Sequence, residues 1–91
     1  MTVNMNNNLF EEISLDISNL FDIEIEEVKK NNNKKLTEEP FNLLAEDLLR
    51  LYYYLEKKYK IQFNKAHVEN YNFLFLGGIV ESVNGLIKQK V

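Results

Sequence analysis

Apolar residues recur at helical spacing in three stretches of the chain. Leu9, Ile13, Ile17 and Leu20 form the first stripe, with Phe10 and Phe21 on its flank. Asn8 fits the start of this helix as a cap, with Glu11 three residues on in a capping-box arrangement. The second stripe is Leu44, Leu48, Leu51, Leu55 and Tyr59. Each helical residue turns by about 100°. Tyr52 then lies on the shoulder of the stripe with its hydroxyl near the surface, Tyr54 is borderline on the other flank, and Tyr53 points away into solvent. Two starts fit this helix: Pro40 in a first turn after Thr37, or Asn42 as a cap. The third stripe runs from Phe73 to Ile87 through Leu76, Ile79, Val80, Val83 and Leu86, with Asn72 as cap. Gly77 and Gly78 interrupt it at about 1 kcal/mol each, which reads as close helix packing or a late helix start rather than a hinge.

The connections are less periodic. Residues 22–37 lose the helical pattern and read as a long loop, pinned to the core by Ile23, Ile25 and Val28. Within it "KKNNNKK" reads as solvated loop, because four lysines between acidic flanks make a weak footprint for nucleic acid. "KIQF" is a short connector, and "NKAHVEN" is long enough for one or two helical turns. The predicted architecture is all-α: a small bundle of three main helices plus a short third helix, with a long loop after helix one, in a single domain over residues 1–91 with 1–6 disordered.

Composition narrows the chemistry. Apolar residues make up 45% of the 91, enough for one compact core of marginal stability. Cysteine is absent, so disulfides and thiolate metal sites are excluded and a reducing compartment is compatible. "MTVNMNNN" is not a basic-then-apolar leader, and "FLFLGGIV" falls far short of the roughly 20 residues of a membrane span. A cytoplasmic protein without membrane contact is expected. The net charge of −3 is uneven: residues 1–47 hold 11 acids and four lysines, −7, and residues 48–91 hold three acids and seven bases, +4.

Three segments in order resemble an acyl carrier protein over most of the chain. "DIEIEEV" resembles the segment after that family's first helix, "LRLYYYLEKKYKIQF" its second helix and exit, and "FLGGIVESVNGLI" its last helix. The resemblance implies a phosphopantetheine arm on a serine of an Asp-Ser-Leu motif opening helix two. Counting back from Tyr59 and Leu55, that motif falls on Leu44-Ala45-Glu46, with Ala45 at the serine position and Asp47 matching an acid two residues further on. A methyl group cannot attack the pyrophosphate of coenzyme A. Ser14, Ser18 and Ser82 belong to other helices, and Thr37 lies out of register. No cofactor and no phosphopantetheine is therefore expected. Two departures agree. The family's second helix is strongly acidic, whereas Glu46, Arg50, Tyr53 and Lys57 give a mixed face. The family keeps a soft aliphatic interior, whereas Tyr52, Tyr54, Tyr71, Phe73 and Phe75 supply bulky rings that fill space. By its size, its Asn/Lys bias and its lost serine, the chain looks like the small carrier-related proteins of bacterial peptide maturation, of the bacteriocin type.

The functional expectation is a non-enzymatic interaction module, monomeric, that binds a peptide-modifying enzyme or a precursor peptide through Glu46, Asp47, Leu49, Arg50, Tyr53 and Lys57. Leu49 and Tyr53 would form an apolar centre with a charged rim; the plain alternative is ordinary surface. A second possibility is a working acyl or peptidyl carrier modified at another site. An enzyme is disfavoured: His67 is a lone histidine, read as a surface or capping residue, and no nucleophile or glycine-rich phosphate loop accompanies it. The pairs Glu11-Glu12, Glu26-Glu27 and Glu38-Glu39 do not converge, since adjacent helical residues diverge, and no metal site is expected. The negative balance and the lack of a basic stripe argue against nucleic acid.

Overall fold

A computed structural model describes the backbone of residues 5–89. It holds five α-helices, and no strand occurs among the described residues: α1 (Met5–Phe21), α2 (Ile25–Lys30), α3 (Ala45–Tyr59), α4 (Lys65–Glu69) and α5 (Leu76–Gln89), with a 3₁₀ turn at Tyr71–Leu74. α1 packs on α5 and α2, α3 packs on α5, and the 3₁₀ turn lies against α5 and α4. The all-α expectation holds. Residues 1–4 of the segment expected to be disordered lie outside the described residues, and Met5 and Asn6 belong to α1.

The first stripe forms the α1 core face, with Leu9, Ile13 and Ile17 buried and Phe10, Leu20 and Phe21 packed beside them. The expected cap at Asn8 is corrected, because α1 already starts at Met5 and Asn8 lies within it. The other end follows a Schellman pattern: Asp22 takes the left-handed conformation and the Ile23 amide reaches back to the Ser18 carbonyl at 3.1 Å.

The loop expected over residues 22–37 contains helix α2. Its single turn and a half is too short to show a period, but Val28 is fully buried and the helix carries Glu26 and Glu27 at its start and Lys29 and Lys30 at its end, which matches the helix dipole. The Asn31 and Asn32 side chains then donate to the Glu27 and Lys29 carbonyls at 2.7 and 2.8 Å, closing the helix. Of "KKNNNKK", Lys29 and Lys30 close the helix and the other five residues form a mostly exposed turn, with Lys29 paired to Glu11 at 2.7 Å.

Both proposed starts of the second long helix are corrected. Residues 36–43 run as a loop that buries Leu36, Phe41 and Leu43. The Leu36 amide donates to the Leu74 carbonyl and the Leu43 amide to the Leu36 carbonyl, at 2.8 and 2.9 Å. Pro40 lies in this loop and Asn42 adopts a left-handed backbone, so neither opens a helix. α3 begins at Ala45, with Leu44 at the cap and the Asp47 carboxylate accepting the Leu44 amide at 2.9 Å. Leu44 consequently leaves the core stripe: its extended backbone turns the side chain outward, 61% exposed, and Leu43 takes the buried place. Leu51, Tyr52 and Leu55 are buried, and Leu48 and Tyr59 pack at the edge.

The last helix starts late, at Leu76, and Asn72 is not its cap. Asn70 instead holds the preceding 3₁₀ turn through its side-chain oxygen, which accepts the Asn72 amide at 2.8 Å. The packing reading of the glycines holds at Gly78, where an added Cβ would overlap the Asn72 carbonyl; Gly77 faces open space. Phe73 enters the core between Tyr52 and Phe63, with ring centroids 4.6 and 4.9 Å away. Of the five rings expected to fill the interior, Tyr52 and Phe73 do so, Phe75 is half-buried, and Tyr54 and Tyr71 are exposed. Phe63, expected only as connector, completes the aromatic cluster.

Candidate functional site

The amino end of α3 is formed by the loop residues Leu43 and Leu44 and the first helical turn from Ala45. The five residues Leu43–Asp47 carry no hydroxyl, and Ala45 is the first helical residue. These residues do not fit a phosphopantetheine arm, which needs a nucleophilic oxygen there. Elsewhere, Ser14 is fully buried on α1, Ser18 and Ser82 are half-buried within helices, and Thr37 is exposed in the loop.

The outward face of α3 carries the remaining candidates. Leu49 and Tyr53, one turn apart, are 52% and 65% exposed. Glu46 and Lys57 are exposed at either end of the same face. Asp47 is partly occupied as the cap acceptor. Arg50 is exposed but anchored: one guanidinium nitrogen donates to the Leu20 carbonyl at 2.9 Å, and the group lies 5.2 Å from the Phe21 ring centre. Arg50 thus closes the carboxy end of α1, where a cation is favoured, a role its place in the helical pattern does not reveal. The residues of this face that stay exposed and outside these contacts are Leu49 and Tyr53, with Glu46 and Lys57 around them.

No family model, curated protein or solved structure matches the chain.

The opposite side of α3 holds a polar cluster against α1. Asp16 is only 4% exposed. Lys58 meets its carboxylate at 2.8 Å, and the Tyr54 and Tyr59 hydroxyls donate to it at 3.2 and 3.4 Å. Tyr59 also donates to Glu12 at 2.7 Å, and Lys58 lies 3.6 Å from Glu12. Burial, helped by Glu12 and Asp16, holds the Tyr59 phenol far above its ordinary range, and burial with Asp16 raises Tyr54. Partial burial works against the Lys58 charge, but its bond to Asp16 and the nearby acids outweigh it and raise its pKa. Tyr52, buried without such partners, is pushed up to about 12. Sequence reasoning missed this cluster. Its signal was present: Glu12 and Asp16 share one face of α1, and Tyr54 and Lys58 share one face of α3.

His67 sits third in α4, where its Nδ1 accepts the Asn64 amide at 3.1 Å while the Asn64 side chain accepts the His67 amide at 2.9 Å. That reciprocal cap is the role expected of it. Among the described residues no group of three or more His, Cys, Asp or Glu is placed to hold a metal ion, and no helix is long and apolar enough to cross a membrane.

Proposed function

We propose that this protein is an acyl-carrier-like interaction module without a swinging arm, acting through the outward face of α3 on a peptide-modifying enzyme or its precursor peptide in bacterial peptide maturation. The observation that carries the reading is the pair Leu49 and Tyr53, exposed one turn apart on α3 between Glu46 and Lys57. Aromatic anchors ringed by charge are the usual source of binding energy at protein surfaces. The helix order supports the likeness to a carrier domain: a long first helix, a loop with a short helical piece, a long second helix, a short helix and a final long one. The methyl group at Ala45 removes the covalent role and leaves recognition.

The test is calorimetric titration of a co-encoded peptide-modifying enzyme with wild-type protein and with Tyr53→Ala and Leu49→Ser. Removing an anchor of this kind costs about 2 kcal/mol, roughly thirtyfold in affinity. Unchanged affinity in both variants would remove this face from consideration. Arg50→Glu is a poor probe, because it also strips the cap from α1.

A further inference from the structure

The outward face of α3 carries an acid at one end and a base at the other, each without a charge partner. Glu46 and Lys57 are exposed, and neither forms an ion pair among the described residues. Arg50, the third charge on this side, is turned onto the Leu20 carbonyl. At about 100° per residue, Glu46, Leu49, Tyr53 and Lys57 fall within roughly 80° of the helix surface. At about 1.5 Å per residue, the two charges stand about 16 Å apart along the axis, with the two apolar residues between them.

The order of these residues selects a partner. Glu46 and Lys57 are centred between Leu51 and Tyr52, and Leu49 and Tyr53 are centred on Leu51. The two centres differ by half a residue, under about 1 Å. A twofold axis through this point, perpendicular to the helix, brings Glu46 of each copy to Lys57 of the other and Leu49 of each to Tyr53 of the other. Parallel pairing would set Glu46 against Glu46 and Lys57 against Lys57. The antiparallel arrangement also opposes the two helix dipoles favourably. A twofold contact uses the same patch on both subunits, and this patch meets that condition in its apolar pair and in its charges. We infer that α3 pairs antiparallel with α3 of a second copy, in place of the expected monomer. Four side chains cover less than the roughly 800 Å² per partner of a stable interface, so the dimer is weak and concentration-dependent. The inference rests on the reading of this face as a recognition surface and names a second copy as its occupant, in competition with the enzyme or peptide.

The experiment is sedimentation velocity of the full chain from about 10 μM to about 1 mM, at low and high salt. The expected result is a monomer at the low end that shifts towards dimer at the high end, with added salt weakening the association. Glu46→Lys and Lys57→Glu each set like charges at both ends of the seam and should each weaken it about tenfold. The double variant Glu46→Lys, Lys57→Glu reverses both charges, restores the pairing and should associate as the wild type does. Both residues are exposed, so the melting temperatures should stay close to wild type and the losses should report association alone. A wild type monomeric throughout, single variants that associate fully, or a double variant no better than the singles would each overturn the dimer. A monomeric wild type whose Tyr53→Ala still loses affinity for the enzyme would overturn the dimer and leave the outward face standing as the enzyme's. Charge rescue of the dimer with unchanged enzyme affinity in Tyr53→Ala would uphold the pairing and remove the enzyme from this face.

Discussion

Gly78→Ala is expected to destabilise the fold by about 3 kcal/mol, against the usual direction of a glycine-to-alanine change in a helix. Alanine ordinarily stabilises a helix interior by about 0.5–1 kcal/mol, because it restricts the unfolded chain and favours helical backbone. At Gly78 the new methyl would overlap the backbone carbonyl of Asn72. A backbone group cannot rotate aside like a side chain, so the 3₁₀ turn and Phe73 behind it must shift, an overpacking penalty of 1–3 kcal/mol or somewhat more. Gly77→Ala and Gly85→Ala are internal controls, since nothing lies within 4 Å of either new methyl. In thermal unfolding each kcal/mol moves the midpoint of a chain this size by about 4–8 °C. Gly78→Ala should therefore fall well below wild type while the controls rise slightly. Equal behaviour of all three would contradict the close approach of α5 to the turn.

Asp16→Ala is the second large effect, expected at about 2–3 kcal/mol. It leaves Lys58 and the Tyr54 and Tyr59 hydroxyls without the acceptor on which they converge. Stranding a charge beside a buried partner costs 3–5 kcal/mol when both are inside. Lys58 is about a third exposed and keeps Glu12 at 3.6 Å, so water and that acid take up part of the loss. The double variant Asp16→Ala, Lys58→Met should recover some of it, because the cation that loses its buried partner is gone. Base sensitivity gives a second readout. The Tyr54 and Tyr59 phenols titrate higher in the folded state than the ordinary value of 10.0. The stability they contribute is fully present below pH 10 and is lost as pH rises through their folded values. Tyr59→Phe should flatten that loss in unfolding measured across alkaline pH.

The long helices were legible because three or more turns of apolar stripe repeat the same angle. Leu9, Ile13 and Ile17 show it, as do Leu51 and Leu55, and Ile79, Val80 and Val83. α2 was not legible, since six residues with a single buried valine give no period. Leu36, Phe41 and Leu43 were missed for a related reason. They are core residues placed by backbone hydrogen bonds of a loop, Leu36 to Leu74, Phe41 to Glu38 and Leu43 to Leu36, and no spacing encodes that. Leu44 was misplaced because a leucine at the cap continues the stripe in sequence while its extended backbone breaks the stripe in space. Tyr53 followed from angle alone. Arg50 did not, because its partner is a main-chain carbonyl 30 residues away. The Asp16 cluster shows that tyrosines in a row serve three surroundings: Tyr52 the aromatic core, Tyr53 the outward face, Tyr54 the polar join between α1 and α3.

The most direct measurement is intact mass after incubation with a broad-specificity phosphopantetheinyl transferase and coenzyme A, with a serine-bearing carrier domain as positive control. The control should gain one phosphopantetheine group while this chain, with a methyl at Ala45, keeps its mass unchanged. A mass gain of one such group on this chain would contradict the reading and establish a carrier modified at another hydroxyl.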